Sequence, residues 1–280
     1  MNTLRHARSF LFVPGNRPDR FARALSSGAD ATIIDLEDAV PASDKDTARD
    51  EVAAWLRTQA VLDSVVVRVN AVGTPWFAGD LRLVAEAHCH VMLPKSETPE
   101  DIAAAASRLA PDRAVVPLIE TAAGVLAADR ICAAANVARP ALGNIDLAND
   151  LGVSPTDPAA LSHARQHLVL AAAAARTAGP IDGVTPQFDD PDQVHADAVH
   201  AKSLGYTAKL CIHPRQIPPI LRAFTPDERE VAWARQVLAA AAHDGGATAL
   251  NGEMLDRPVY ERAQAILHAV RDTRGEATDE

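Results

Sequence analysis

The sequence predicts a single TIM (β/α)8 barrel with a C-terminal helical tail. Three observations predict it. Eight short apolar, β-branched runs bounded by turn residues alternate with longer segments of helical composition. The chain has 280 residues, and lengths near 250 are typical of one such barrel. Charged or polar residues follow nearly every run, at the end where barrel active sites are built.

The strands are expected at 9–13, 31–36, 65–70, 91–94, 114–120, 140–146, 181–186 and 208–213. Connecting segments rich in Ala, Leu, Glu and Arg read as helices at 19–27, 43–60, 98–109, 121–138, 158–178 and 190–204. Gly28, Gly179 and Gly205 stand where helix C-caps are expected. Eight repeats in one chain favour a closed barrel over an open doubly wound sheet. After Ile217 the pattern changes. Thr225-Pro226-Asp227-Glu228 reads as a helix start with Pro in first position, the helix running to Ala242. A polar loop at 243–247 and a last helix at 259–271 follow, and the polar run 272–280 is expected to fray. The boundaries are a barrel at 1–224 and an extension at 225–280, which caps the barrel mouth or reaches a neighbouring subunit.

Composition narrows the function classes. Hydrophobic residues at 48% and charged residues at 23% describe an ordinary soluble globular protein. A net charge of −10 argues against a nucleic-acid partner, which needs a concentrated positive surface. Cys89, Cys132 and Cys211 are isolated, as expected of small buried residues in a reduced, cytoplasmic protein. No signal peptide and no membrane-length apolar span is read.

The strand ends carry the candidate chemistry. Glu120 and Asp146 close the fifth and sixth runs, so they stand as neighbours on one rim. Two hard oxygen ligands with room for water and substrate suit Mg²⁺ better than zinc. The competing role for both is helix capping or pairing with an arginine. Asp150 lies a helical turn further on, so Asp146 is preferred. Asp35, Glu37 and Asp38 follow the second run and either hold the metal through waters or pair with Lys45 and Arg49. Arg68 ends the third run, as a structural ion pair or, beside a metal, as a clamp for a carboxylate or enolate. Lys95, after the fourth, reads as an electrostatic or structural cation rather than a Schiff-base lysine. His213 before Pro214 reads as a packed rim histidine.

The runs RSFLFVPGNRPDR, GADATIIDLEDAV, KDTAR, VVVRVN, VMLPKSE, PLIETAAGV, GNIDLANDLG, AKLCIHPRQI and NGEMLDRP together resemble the citrate lyase β-subunit-like group. That group belongs to the HpcH/HpaI aldolase superfamily, with malyl-CoA and citramalyl-CoA lyases as close relatives. The resemblance extends from Arg8 to about Leu267. It implies a trimeric or hexameric TIM barrel with Mg²⁺ on Glu120 and Asp146 and an active-site Arg68. It further implies an acid–base Asp256 from a neighbouring subunit's tail, and basic residues near the first strand, Arg17 and Arg20, that meet CoA phosphates. Lys95 joins them as a substrate- or CoA-binding candidate. Leu255 stands where the family usually has isoleucine, and Asn144 and Asn149 also depart from commoner relatives. The activity implied is Mg²⁺-dependent cleavage of a malyl-, citramalyl- or citryl-CoA thioester to a keto acid and an acyl-CoA. The alternatives are thioester hydrolysis at the same site, a pyruvate-type aldolase on free acids, and a non-catalytic subunit of a larger lyase complex.

Overall fold

The computed structural model describes residues 2–243, 248–250 and 253–274. It divides into two compact units, Met1–Leu221 and Arg222–Glu280. The first is the TIM barrel. Strands β1 (Ser9–Pro14), β2 (Ala31–Asp35), β3 (Val65–Arg68), β4 (His90–Leu93), β5 (Val115–Ile119), β6 (Ala141–Leu142), β7 (Ile181–Asp182) and β8 (Ala208–Cys211) pair in sequence order. Parallel pairing of β1 with β8 closes the ring, with Phe10 opposite Leu210. Strand alternation sends Phe10, Ile33, Val66, Met92, Val116, Ile181 and Leu210 into one core cluster. Their neighbours Ile34, Val67 and Val91 are buried too, so these strands read as unbroken apolar runs.

Several helix starts lie where the side chains predict them. Thr98 forms a capping box with Asp101, Thr121 accepts from the Gly124 N–H, and Asp190 accepts from Gln193. Other expectations are corrected. The sixth and seventh strands stop at Leu142 and Asp182, and a helix Asn144–Leu151 begins where strand was expected. The segment 121–138 holds two short helices, Ala122–Leu126 and Ala128–Cys132. Helix Phe77–Ala87 was not anticipated. The left-handed C-cap of helix Ser162–Ala175 is Arg176 rather than Gly179.

The second unit pairs helices Glu228–His243 and Arg257–Arg274 with a short hairpin, β9 (Thr248–Leu250) and β10 (Glu253–Leu255). Its small core joins Ala234, Val237, Leu255 and Ala263. Asp227, not Thr225, caps the first of these helices in a reciprocal pair with Glu230, and Pro226 precedes that cap. The polar loop at 244–247, Asn251-Gly252 and the terminal run 275–280 lie outside the described residues. No described helix is long and apolar enough to cross a membrane. All three cysteines are buried and free, and burial raises each thiol to about 12.

Two polar residues are buried toward the barrel's N-terminal end. Arg139 donates to the carbonyls of Leu4, Ala7 and Gly179 and to the Thr207 hydroxyl. His90, at the start of β4, accepts the Ala114 N–H on Nδ1 at 3.0 Å, and its Nε2 has no partner among the described residues. Burial lowers His90 to about 4. Between about pH 6.5 and pH 4 the unfolded chain therefore binds a proton that the folded chain refuses, and stability falls as pH falls through that window. This term is expected to cost about 2 kcal/mol between pH 7 and pH 5. Urea titrations of the wild type and His90→Gln at both pH values measure it, and equal slopes in the two proteins would exclude it.

Candidate active site

The strand register builds the rim. Pro14 lies opposite Asp35, and Asp35 opposite Arg68, so the ends of β1, β2 and β3 form one row. Arg68 donates from Nε and Nη2 to the two Asp35 oxygens at 2.7 and 2.6 Å, a two-point ion pair. Asp35 also accepts the N–H groups of Glu37 and Ala39, which curls the turn around it. The Arg68 guanidinium lies 4.9 Å from the centre of the Phe12 ring. Burial pulls this cation down, but Asp35, then Glu37 and Asp38, raise it well above its usual value. Arg68 is thus permanently charged and fixed along one edge.

Glu37 is buried. Its Oε1 accepts from Lys95 Nζ at 2.8 Å, and its Oε2 lies 3.1 Å from Arg68 Nη1 without an aligned hydrogen bond. Burial raises its carboxyl, with Arg68 and Lys95 opposing. Partial burial lowers Lys95, but the Glu37 contact outweighs it and keeps the amine protonated. Asp38 is the exposed member of the cluster, 3.6 Å from Arg68. Lys45 leaves the carboxylates alone and bonds the carbonyls of Leu36 and Glu37. Arg49 turns to Asp46 and Asp80.

Glu120 follows β5 directly. Its Oε1 accepts the backbone N–H of Lys95 at 2.8 Å, and Lys95 holds φ at +48° to present it. A Cβ at Gly143 would stand 2.6 Å from Glu120 Oε2, so only glycine lets the next strand end approach the carboxylate this closely. Burial, then Glu37 and Asp146, push Glu120 up to about 8, with the Lys95 N–H opposing them. Asp146 is not on a strand end. It lies in the first turn of helix Asn144–Leu151, half-buried, and its carboxylate has no hydrogen-bond donor among the described residues. Asp150 is committed elsewhere, accepting the Ala122 N–H at 2.7 Å.

A cavity of about 470 Å³ gathers Phe12, Asp35, Arg68, Glu120, Asn144 and Asp146 at the barrel mouth. A second, of about 460 Å³, lies beside β1 and β8 and collects Arg20, Arg23, His213 and Arg215. Both cavities are lined by Phe12, Pro14 and Ile212. Arg17 does not line either one, and its guanidinium is taken by Asp19 at 2.8 and 2.9 Å. His213 caps the turn Pro214–Gln216 and stacks on Phe188. Asp256 is exposed at the start of helix Arg257–Arg274, where Oδ1 accepts the Val259 N–H at 3.2 Å. Sequence reasoning missed Arg23 and Arg215, although Arg20 and Arg23 stand three apart near one helix start and Arg215 follows the His-Pro pair. It also missed Asp80, fully buried inside the unanticipated helix, which bonds Asn70 and Arg49 and braces the β2–β3 rim.

The mouth fits a hard divalent cation. Glu120 Oε2 and the Asp146 carboxylate repel each other across the cavity with no protein donor between them, and Glu37 Oε2 is buried without a hydrogen bond. Among the described residues no group of three His, Cys, Asp or Glu is arranged to hold a metal. Two carboxylates with the remaining positions left to water and substrate is the ligand set Mg²⁺ favours.

A closed β/α barrel with paired carboxylates and a fixed arginine at its mouth has the architecture of barrel enzymes that act on oxygen-rich substrates. The model of the HpcH/HpaI aldolase/citrate lyase family matches residues 8–214, and the chain belongs to that family. The citrate lyase subunit beta-like protein of Mycobacterium tuberculosis is 38% identical over the whole of both chains. The (3S)-malyl-CoA thioesterase of Cereibacter sphaeroides is 32% identical, over 92% of this chain and 95% of that one. The crystal structure of M. tuberculosis CitE with magnesium, acetoacetate and coenzyme A superposes with a TM-score of 0.83 and 36% identity, covering 95% of this chain and 98% of that one.

Proposed function

We propose that the chain is a Mg²⁺-dependent carbon–carbon lyase acting on a 3-hydroxyacyl-CoA thioester of the malyl, citramalyl or citryl type. The observation that carries this reading is the mouth itself: the Oε2 of Glu120 and the Asp146 carboxylate, without donors among the described residues, face an arginine already fixed by Asp35. The magnesium, acetoacetate and coenzyme A bound by the M. tuberculosis relative support the same assignment here. Glu120 and Asp146 hold Mg²⁺, which supplies Lewis-acid polarisation and orients the substrate oxygens.

The chain's own residues do the rest. Arg68 spends Nε and one Nη2 proton on Asp35, and Nη1 lies 3.1 Å from Glu37 without an aligned hydrogen bond, which leaves Nη protons for substrate oxygens. They bind the substrate carboxylate or the thioester oxygen as negative charge develops on it when the Cα–Cβ bond breaks. Asp35 positions Arg68, and Glu37, anchored by Lys95, helps confine the charged fork. Lys95 acts through Glu37 and through its backbone N–H rather than as a nucleophile. Arg20, with Arg23 and Arg215, receives CoA phosphates in the adjoining cavity, whereas Arg17, paired with Asp19, is left out of that role. Asp256, from this chain or a neighbouring copy in a homotrimer or hexamer, moves the proton at the acyl Cα. Asp256→Ala is expected to lose Mg²⁺-dependent hydrogen–deuterium exchange of acetyl-CoA by about a hundredfold or more while keeping Mg²⁺ affinity. Unchanged exchange would remove Asp256 from the reaction.

A second reading is thioester hydrolysis at the same site, favoured by the name of the C. sphaeroides relative. One experiment separates the two. Purified protein with Mg²⁺ and acetyl-CoA is offered glyoxylate, pyruvate and oxaloacetate, and the products are read by mass spectrometry against EDTA controls. An EDTA-sensitive condensation product establishes the lyase and names the keto acid. Free CoA alone establishes the thioesterase. Aldol cleavage of free hydroxy-keto acids, with CoA substrates untouched, would overturn both.

A further inference from the structure

A third cavity of the barrel unit lies beside the mouth. It measures about 680 Å³ and is lined by β7 and β8 together with residues of helices Ser162–Ala175 and Pro191–Leu204. Strand alternation explains its chemistry. Ile181, Ala208 and Leu210 point into the barrel core, so Asp182 and Lys209, one step along their strands, turn the other way, towards the helices. Lys209 Nζ donates to Asp182 Oδ2 and to the Gly183 carbonyl, each at 2.7 Å, and Arg165 Nε donates to Asp182 Oδ1 at 3.0 Å. Burial pushes the Asp182 carboxyl up, but Lys209 and Arg165 hold it below the usual range. One ionised carboxylate is thus shared by two buried cations.

Arg165 is only half used. It is 8% exposed and lines the cavity, yet neither of its Nη groups has a hydrogen-bond partner among the described residues. The nearby Asp197 does not complete it. Its oxygens are taken by the Thr185 hydroxyl at 2.6 Å and Gln193 Nε2 at 2.7 Å, and it makes no ion pair among the described residues. A guanidinium fixed through Nε, with its planar Nη fork unpaired and open to the cavity, is a receptor for an oxyanion, which it grips at two points.

We propose that this cavity binds a small oxyanion, a carboxylate or phosphate group, through the Nη groups of Arg165. Gln193 and His200 on the exposed lip hydrogen-bond the rest of the ligand. The site is separate from the mouth but shares a wall with it. Asn144 lines both cavities, bonds the backbone of Val184 in both directions, and opens the helix that carries Asp146. An occupant would therefore rest one side chain away from the acidic pair.

Isothermal titration calorimetry of the full chain with inorganic phosphate and, separately, with malonate tests this, and the arm that binds names the source of the oxyanion. Arg165→Lys keeps a cation for Asp182 but removes the fork, and it should weaken binding at least about tenfold. Ala196→Glu sets a carboxylate on the exposed lip without touching the buried triad, and it should abolish binding. All of these titrations are made in an Arg20→Ala background, which removes the phosphate edge proposed for CoA. The proposal fails if neither anion binds that background, or if binding survives Ala196→Glu. None of these readings depends on turnover, so failure of the lyase assignment leaves the test intact.

Discussion

Glu120→Gln is expected to abolish Mg²⁺-dependent turnover, by roughly a thousandfold or more, while the barrel folds as before. The amide has the shape of the carboxylate, and its oxygen still accepts the Lys95 N–H that orients the native side chain. It also still fits beside Gly143, where the native carboxylate approaches the backbone too closely for any Cβ. What disappears is the negative charge that faces Asp146 across the cavity, on the oxygen that has no donor among the described residues. Calorimetric titration with Mg²⁺ should show no binding, whereas thermal unfolding should be unchanged or shifted upward, since a crowded negative charge has been removed. Retained metal affinity would take Glu120 out of the ligand set and leave Asp146 to be paired with Glu37 instead.

Arg139→Met is expected to cost about 3 to 5 kcal/mol of folding stability, a large part of the total for a domain of this kind. The guanidinium is fully buried and meets no carboxylate among the described residues. Burial, then the field of Arg5, pulls it down to about 9. Its worth lies in the acceptors it serves. Carbonyls from Leu4, Ala7 and Gly179 and the Thr207 hydroxyl all converge on it, and methionine would strip this donor from the buried Leu4 and Ala7 carbonyls, while Gly179 would keep only the Thr207 hydroxyl. Urea denaturation at pH 7 measures the loss. A change below about 1 kcal/mol would mean that water reaches those carbonyls.

The strands were legible because residues buried on both faces leave continuous apolar runs in the chain, and the turn residues between them mark their ends. Arg68, Asp35 and Glu120 were legible for a related reason, since each directly ends or follows such a run. Asp146 was harder. The segment Asn144-Ile145-Asp146-Leu147-Ala148 continues the apolar run after β6, and its helical spacing is too short to separate from strand by pattern alone. Its carboxylate nevertheless lines the expected cavity, because a helix that starts immediately after the strand keeps its first turn on the rim. Other features depend on distant partners and leave no local mark. The left-handed backbone of Lys95, the Phe12 ring beside Arg68 and the burial of Asp80 all arise from contacts made across the rim. The fork that Arg165 opens to its cavity belongs to the same class: in the sequence it is one basic residue in an alanine-rich helix.

The joint between β1 and β8 has a consequence for how the chain is made. β1 gains β2 early, but its other edge has no partner until β8 emerges, roughly 200 residues later, or some 10 to 40 s at ordinary translation rates. For all of that time the nascent protein is an open, curling sheet whose first strand is exposed along one side. The Arg139 guanidinium is likewise incompletely served, because Gly179 and Thr207 are not yet available. Closing the ring therefore waits for the last strand. Until it arrives, the free edge of β1 is the place where the growing chain is open to wrong strand pairing.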